Sequence, residues 1–436
     1  MTKIYLETLG CNKNDYDSEV LMSNLISEGF EIVNNPNDSD YMILNTCGFI
    51  NDAKQESIER IFDLVSVKGD KKNLIVTGCL SQRYHDELVK EIPEVDAFYG
   101  VNDYDRIASE LQIFNFDNKD RVGTDIDKLP YRNRKFTNKP HVGYLKIAEG
   151  CNNACAFCAI PSIRGPYRSK RIEDCVREAN DMANAGIKEL ILIAEDTSQY
   201  GKDLYGELKL SELLKELCKI DGIKWIRLLY VYDNSINDEL IETIATEEKI
   251  CKYIDMPIQH ISDNVLNKMK RQSNGKSIIE TISKLRHRIP DIHIRTTILV
   301  GFPGETDKDI DELLEFIDST NIDRLGAFSF SNEEGTVAFD LPNKIDEYIK
   351  LERRDLVMQH QLLVSEKLNE KKIGKTFDVI IDETLEENLY VGRTKYDAPD
   401  IDCEVTFTSN KKHQIGDIVK VKINDAYEYD LEGEEI

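Results

Sequence analysis

The stretch Val142-Gly143-Tyr144-Leu145-Lys146-Ile147, followed four residues on by Cys151-Asn152-Asn153-Ala154-Cys155-Ala156-Phe157-Cys158, decides the fold. It reads as a strand running into a loop with three thiols in eight residues. Three thiolates can hold three corners of a 4Fe-4S cluster. The fourth iron is then left open to a small molecule, as a catalytic zinc keeps one position free. A structural zinc site is the alternative, but it calls for a fourth nitrogen or sulfur ligand, and no further Cys or His lies nearby. Working outward, this strand is the first of six predicted over 142–147, 189–194, 225–229, 253–256, 293–300 and 324–330. Helical patterns fit between them, for example over 172–185, 211–219 and 308–319. Six βα units fall short of the eight of a closed TIM barrel, so the reading is a partial, open (β/α)6 barrel. Its cysteine loop lies at the C-terminal end of the first strand, where barrel enzymes place their chemistry.

Upstream, strands over 3–8, 41–45 and 73–77 alternate with helices over 15–28, 53–68 and 82–91. This pattern predicts a Rossmann-like α/β domain with a parallel sheet. Cys11, Cys47 and Cys79 each follow one of these strands by two or three residues, each flanked by a glycine: Gly10, Gly48 and Gly78. Carboxyl ends of neighbouring parallel strands share one sheet edge, where ligands bind. Three cysteines distant in sequence therefore converge on one predicted metal site, a second three-thiol cluster. The alternative is three ordinary buried cysteines. Cys175, Cys218, Cys251 and Cys403 have no partner spacing and read as core residues.

Downstream, 346–370 reads as one long helix. Short β runs over 376–381, 389–392, 403–408 and 417–424 then predict a small antiparallel barrel of OB-like type. The expected organisation is α/β and multidomain: an N-terminal domain over 1–116, a linker over 117–136, a barrel core over 137–368 and a terminal β-barrel over 371–436. No apolar run approaches the ~20 residues of a membrane helix, and the first residues lack the apolar region of a signal peptide. A cytoplasmic location is expected, where the ten cysteines stay reduced and clustered ones are available for metal binding. The formal net charge of −25 disfavours generic nucleic-acid binding, which rests on Lys and Arg contacts to phosphate. It suits a basic protein partner, or solubility alone.

The Cys-x3-Cys-x2-Cys spacing with an aromatic before the last cysteine resembles the radical S-adenosylmethionine (SAM) signature. The whole chain resembles the methylthiotransferase family. Matching segments are Thr8-Leu9-Gly10-Cys11-Asn12-Lys13-Asn14, Asn45-Thr46-Cys47-Gly48-Phe49-Ile50, Thr77-Gly78-Cys79 and Gly301-Phe302-Pro303-Gly304-Glu305-Thr306, with a TRAM domain at the end. The resemblance implies two 4Fe-4S clusters and SAM as cofactors. The catalytic Cys151, Cys155 and Cys158 would hold the cluster that cleaves SAM to a 5′-deoxyadenosyl radical, and Phe157 would sit near the adenine. A second SAM would supply the methyl group, and the Cys11, Cys47 and Cys79 cluster would hold or deliver sulfur. Further cofactor-binding candidates are Glu195, Arg295, Gly301 and Gly304. Capping of a loop by Glu195-Asp196, an ion pair at Arg295 and a simple βα turn at the glycines are the alternatives.

Within the family, 255–263, 328–336 and 392–402 are similar to the RimO-type branch, which modifies the β-carbon of an aspartate in the twelfth protein of the small ribosomal subunit. Cys403 stands where that branch leads one to expect glycine. From Lys371 to Ile436 there are nine Lys/Arg against sixteen Asp/Glu, a net of −7. An acidic terminal barrel repels phosphate and attracts a basic ribosomal protein. The implied partners are that protein, free or in the subunit, an electron donor such as flavodoxin or ferredoxin, and a sulfur source, with no membrane and no tRNA. A tRNA adenosine methylthiotransferase and a non-catalytic iron–sulfur electron carrier are the competing readings.

Overall fold

The computed structural model describes residues 1–69, 71–113, 118–123, 129–137 and 139–436. The N-terminal sheet is formed by β1 (Lys3–Thr8), β2 (Glu31–Val33), β3 (Tyr41–Thr46), β4 (Asn73–Gly78) and β5 (Ala97–Phe98). All are parallel, in the order β2-β1-β3-β4-β5. Met42-Ile43-Leu44 and Leu74-Ile75-Val76 are fully buried, because helices cover both faces of the sheet. The short β2 and β5, and the helix Tyr104–Leu111, carry too few residues for a periodic signal and were not expected from the sequence.

The core sheet runs β6 (Val142–Lys146), β9 (Glu189–Ile193), β10 (Trp225–Leu228), β11 (Ile250–Asp255), β12 (His293–Val300) and β13 (Arg324–Ser329), all parallel. It is the expected six-stranded partial barrel, open between β6 and β13. Alternate residues divide its two faces. Leu190 and Leu192 join the layer of helices, while Ile191, Ile193, Val142, Tyr144, Trp225 and Tyr253 point inward. A short antiparallel pair, β7 (Ala148–Glu149) and β8 (Arg168–Ser169), clamps the two ends of the cysteine loop.

The terminal domain is a closed barrel of β14 (Thr376–Glu386), β15 (Leu389–Thr394), β16 (Val405–Thr408), β17 (Ile418–Ala426) and β18 (Leu431–Glu435), in the order β14-β15-β16-β18-β17. The sequence predicts four strands and antiparallel pairing throughout. The fifth strand, Leu431-Glu432-Gly433-Glu434-Glu435, has no apolar pattern to announce it, and it pairs parallel to β16. The barrel packs against the inward face of the core. Ile380 and Ala398 contribute to that contact, and three polar or charged core residues, Glu189, Tyr253 and Arg324, engage the segment 392–402. Arg393 reaches Glu189 at 2.8 Å and Asp382 at 2.6 Å, Arg324 reaches Asp397 at 2.7 Å, and Tyr253 donates to Asp402 at 2.7 Å. The segment singled out as branch-specific is thus the seam between barrel and core.

The first helix, Asn12–Ser27, buries two faces. Leu21 and Leu25 meet the sheet, whereas Asp17 pairs with Lys146 and Arg164 of the core. Tyr16 donates to Glu178, and Glu19 takes Arg134 at 2.9 Å. The expected 116/117 domain boundary falls outside the described residues. The described part of the expected linker is not free. Lys119 and Arg121 bond the backbone of Phe98, and Arg134 stacks on Tyr16. No helix among the described residues is long and apolar enough to cross a membrane.

Candidate active site

Cys11 caps the first helix, Cys47 directly follows β3 and Cys79 directly follows β4. Since β1, β3 and β4 are adjacent, the three cysteines come to the same sheet edge. The flanking glycines make that approach possible. A Cβ on Gly10 (φ +94°) would lie 2.6 Å from Cys47 Cβ, and one on Gly48 would lie 2.6 Å from Leu80 Cα. Cys47 is held further by Ser57, which accepts from its N–H at 3.1 Å and donates to its carbonyl at 2.8 Å.

The second trio lies on the loop after β7. Cys151 is buried, and Cys155 and Cys158 are half-buried. N–H groups are aimed at all three sulfurs: Asn153 N to Cys151 Sγ at 3.4 Å, Ile160 N to Cys158 Sγ at 3.5 Å and Arg271 Nη1 to Cys155 Sγ at 3.8 Å. Hydrogen bonds to sulfur are among the features that set a cluster's potential. Burial pushes the Cys151 thiol up to about 11 and the Cys79 thiol up to about 12. Their ionisation therefore awaits a bound metal, and metal binding releases the protons.

Among the described residues, neither trio brings its three sulfurs within 4.8 Å of one another. A tetrahedral zinc with Zn–S bonds of about 2.3 Å would hold sulfurs closer than that. An all-sulfur donor set, wider than one ion needs and approached closely by glycine backbone, fits an iron–sulfur cluster at each site.

The other expected residues are placed as follows. Phe157 is half-buried against Ala156, Met269, Phe302 and Phe330. Glu195 lies between the two trios, with Lys13 Nζ 3.6 Å from one carboxylate oxygen and Arg164 Nε 3.6 Å from the other. It is close enough to raise the Cys151 and Cys158 thiols. Its neighbour Asp196 accepts from Asn153 at 2.8 Å and caps Ser198, so it supports the cysteine loop. Arg295 is committed elsewhere: it meets Asp255 at 2.9 Å and Asp402 of the terminal barrel at 3.3 Å. Its guanidinium ties barrel to core, the ion pair given above as the alternative to a place beside SAM. Gly301 (φ +76°) and Gly304 (φ +80°) are required by the turn, and the space over them is filled by the side chains of Lys350 and Lys268. They form a βα turn closed by Glu305, which accepts from Gly301 N at 2.9 Å.

Sequence reasoning missed Arg164. Six residues after Cys158, it is fully buried and donates to Asp17 (3.1 Å), Glu149 (2.7 Å), Asn14 (2.8 Å) and Cys79 Sγ (3.6 Å). One side chain thus links the loop of one trio to a cysteine of the other. Lys13 was also missed, although it stands in the quoted segment Gly10-Cys11-Asn12-Lys13-Asn14. So was Tyr230, a non-glycine residue at φ +59° that follows β10.

Comparison with known proteins fits this geometry. The family described as the radical SAM superfamily matches residues 145–317, a TRAM domain matches 373–436 and an uncharacterized protein family, UPF0004, matches 3–100. Solved structures share the fold. The radical SAM methyltransferase TsrM from Kitasatospora setae gives a TM-score of 0.58 at 14% identity, over 75% of this chain and 73% of that one. The cobalamin-dependent radical SAM enzyme OxsB gives 0.54 at 13%, over 84% and 56%. An open six-stranded barrel with a three-cysteine loop at its active edge defines the class as radical SAM. Proteins named ribosomal protein uS12 methylthiotransferase RimO match end to end. That of Clostridioides difficile (strain 630) is 49% identical over 100% of this chain and 99% of its own length. That of Clostridium botulinum (strain Eklund 17B / Type B) is 48% identical over 99% and 97%. A third, from Thermoanaerobacter sp. (strain X514), is 46% identical over all of both chains. The chain belongs to the RimO family.

Proposed function

We propose that this chain is a methylthiotransferase that replaces a hydrogen on the β-carbon of an aspartate in ribosomal protein uS12 by a methylthio group. The observation that carries this reading is the end-to-end likeness to relatives of that name. Cys151, Cys155 and Cys158 hold one 4Fe-4S cluster, and Cys11, Cys47 and Cys79 hold the other. Clusters and SAM held there would supply the radical chemistry that an unactivated C–H bond requires, together with the sulfur to be transferred. Protein groups supply orientation and shielding. Phe157 covers the cofactor side of the loop, Arg271 and the backbone of Asn153 and Ile160 hold the sulfurs, and Glu195 faces the SAM ammonium. Arg164 keeps the two cluster loops in one rigid frame. Cytoplasmic flavodoxin or ferredoxin provides electrons, and a separate source replenishes sulfur.

The outer surface of the terminal barrel supports a basic protein substrate. Glu383, Glu386, Glu387, Asp425, Glu428 and Asp430 are exposed there, a field that disfavours phosphate and favours cations.

The test is a competition assay. Anaerobically reconstituted enzyme, SAM, reductant and sulfide are given recombinant uS12 and bulk tRNA together, and products are read by mass spectrometry. A methylthio increment on an aspartate of uS12 is expected. An increment on tRNA nucleosides instead would overturn the substrate assignment and the charge argument with it.

A further inference from the structure

Lys13 is an ammonium without a hydrogen bond in a place where burial makes one costly. The residue is 6% exposed, yet among the described residues its Nζ makes no hydrogen bond. Its nearest anion is Glu195, at 3.6 Å. Its other neighbour is the face of Tyr230, whose ring centroid is 3.6 Å away. A lysine has three donors, and none of those of Lys13 is spent on a described neighbour in the fold.

Tyr230 is itself held in a left-handed conformation by two backbone bonds. Its N–H donates to Asp255 at 2.9 Å and its carbonyl accepts from Thr197 N at 3.0 Å. Strain retained by surrounding structure in this way clusters at functional sites. Here it fixes the ring that supports the ammonium. Glu195 does not depend on Lys13 for neutralisation, because Arg164 faces its other oxygen at 3.6 Å. Arg164 thus remains a cationic neighbour of Glu195 when Lys13 engages a ligand.

Lys13 also stands two residues from Cys11, and its partner Glu195 stands beside the other trio, so a ligand on Nζ lies between the two cluster sites. We infer that Lys13 receives the side-chain carboxylate of the substrate aspartate and presents its β-carbon between the two cysteine trios. This rests on the function proposed above and makes Lys13 the residue that selects a carboxylate over an amide. Because the ammonium is preorganised by Tyr230, the selection is made by charge and hydrogen bonding rather than by shape.

The test uses reconstituted holoenzyme and a fluorescent peptide of uS12 centred on the aspartate that the competition assay identifies, beside the same peptide with asparagine there. Binding is read by anisotropy without SAM, and KM and kcat are read separately with it. Wild type should prefer the aspartate peptide by roughly 10–100-fold, the range of a charge-assisted hydrogen bond between buried partners. Lys13→Met should reduce the preference to about twofold or less, with its fold checked by circular dichroism and its iron content by elemental analysis, and Lys13→Arg should retain most of it. Equal binding of both peptides by wild type overturns the inference without any variant. So does an undiminished preference in Lys13→Met. If wild type modifies tRNA and not uS12, the functional reading fails and takes this inference with it. If wild type modifies uS12 but Lys13→Met still discriminates, only the inference fails.

Discussion

Replacing Arg164 with methionine removes one charge from a buried set that is balanced. Lys13, Lys146 and Arg164 face Asp17, Glu149 and Glu195. All are buried or nearly so, and Arg164 is 1% exposed. Methionine fills much of the same volume, so the effect is electrostatic rather than a cavity. Glu149 and Asp17 keep Lys146, but the set is left with one uncompensated negative charge, and Asn14 Oδ1 loses its donor at 2.8 Å. Breaking a buried pair from one side costs about 3–5 kcal/mol, a large fraction of a typical domain stability of about 5–15 kcal/mol. The assay is urea unfolding followed by far-ultraviolet circular dichroism and by the fluorescence of Trp225, the chain's single tryptophan, buried in the core sheet. With a slope of about 3 kcal/mol per molar, the midpoint should fall by about 1 M or more. Arg164→Lys should fall between, because it keeps the charge but not the planar fork that serves several acceptors at once. A loss below about 1 kcal/mol in Arg164→Met would refute the claim that this network is dry and rigid, and with it the claim that Arg164 frames both cluster loops.

Cys155→Ala should abolish SAM cleavage, whereas Cys47→Ala should keep SAM cleavage and lose the methylthio product; product from the Cys47 variant would end the sulfur role given to the first trio. Gly10→Ala should lower the iron content of the N-terminal site selectively, since its Cβ would lie 2.6 Å from Cys47 Cβ and its φ of +94° disfavours a side chain; full iron occupancy by elemental analysis would contradict this. Asp382, bonded to His141 at 2.7 Å and Arg393 at 2.6 Å, has its carboxyl held down at about 2 from an ordinary 3.8. Burial opposes that shift and the two hydrogen-bonded partners outweigh it. Because the folded value is the lower one, the stabilisation is present above pH 3.8 and is lost as the pH falls from there to 2, about 2 kcal/mol in all. Acid unfolding of Asp382→Asn should lack that component, and an unchanged profile would show that the seam does not depend on this charge.

The elements legible in the sequence were those with long, periodic signals. The three-residue β2, the two-residue β5 and the acidic β18 offered none, and β18 became a strand only because β16 and β17 left it an edge to complete. The polar face of the helix Asn12–Ser27 looks in sequence like a solvated surface. In the folded chain it is the contact with the core, because Lys146, Glu149 and Arg164 are there to pair with it.

By itself, the sequence determined the kind of ligand set and its topological position. Cysteine spacing is local chemistry, and the rule that parallel strands share one carboxyl edge carries Cys11, Cys47 and Cys79 to a common place from sequence alone. Only the tertiary structure decided how the two sites face each other. Ion pairs such as Arg164 with Asp17, Lys13 with Glu195 and Arg295 with Asp402 join residues far apart in the chain. Charge carries no periodicity that names its partner, so these contacts are set by how the packed domains meet.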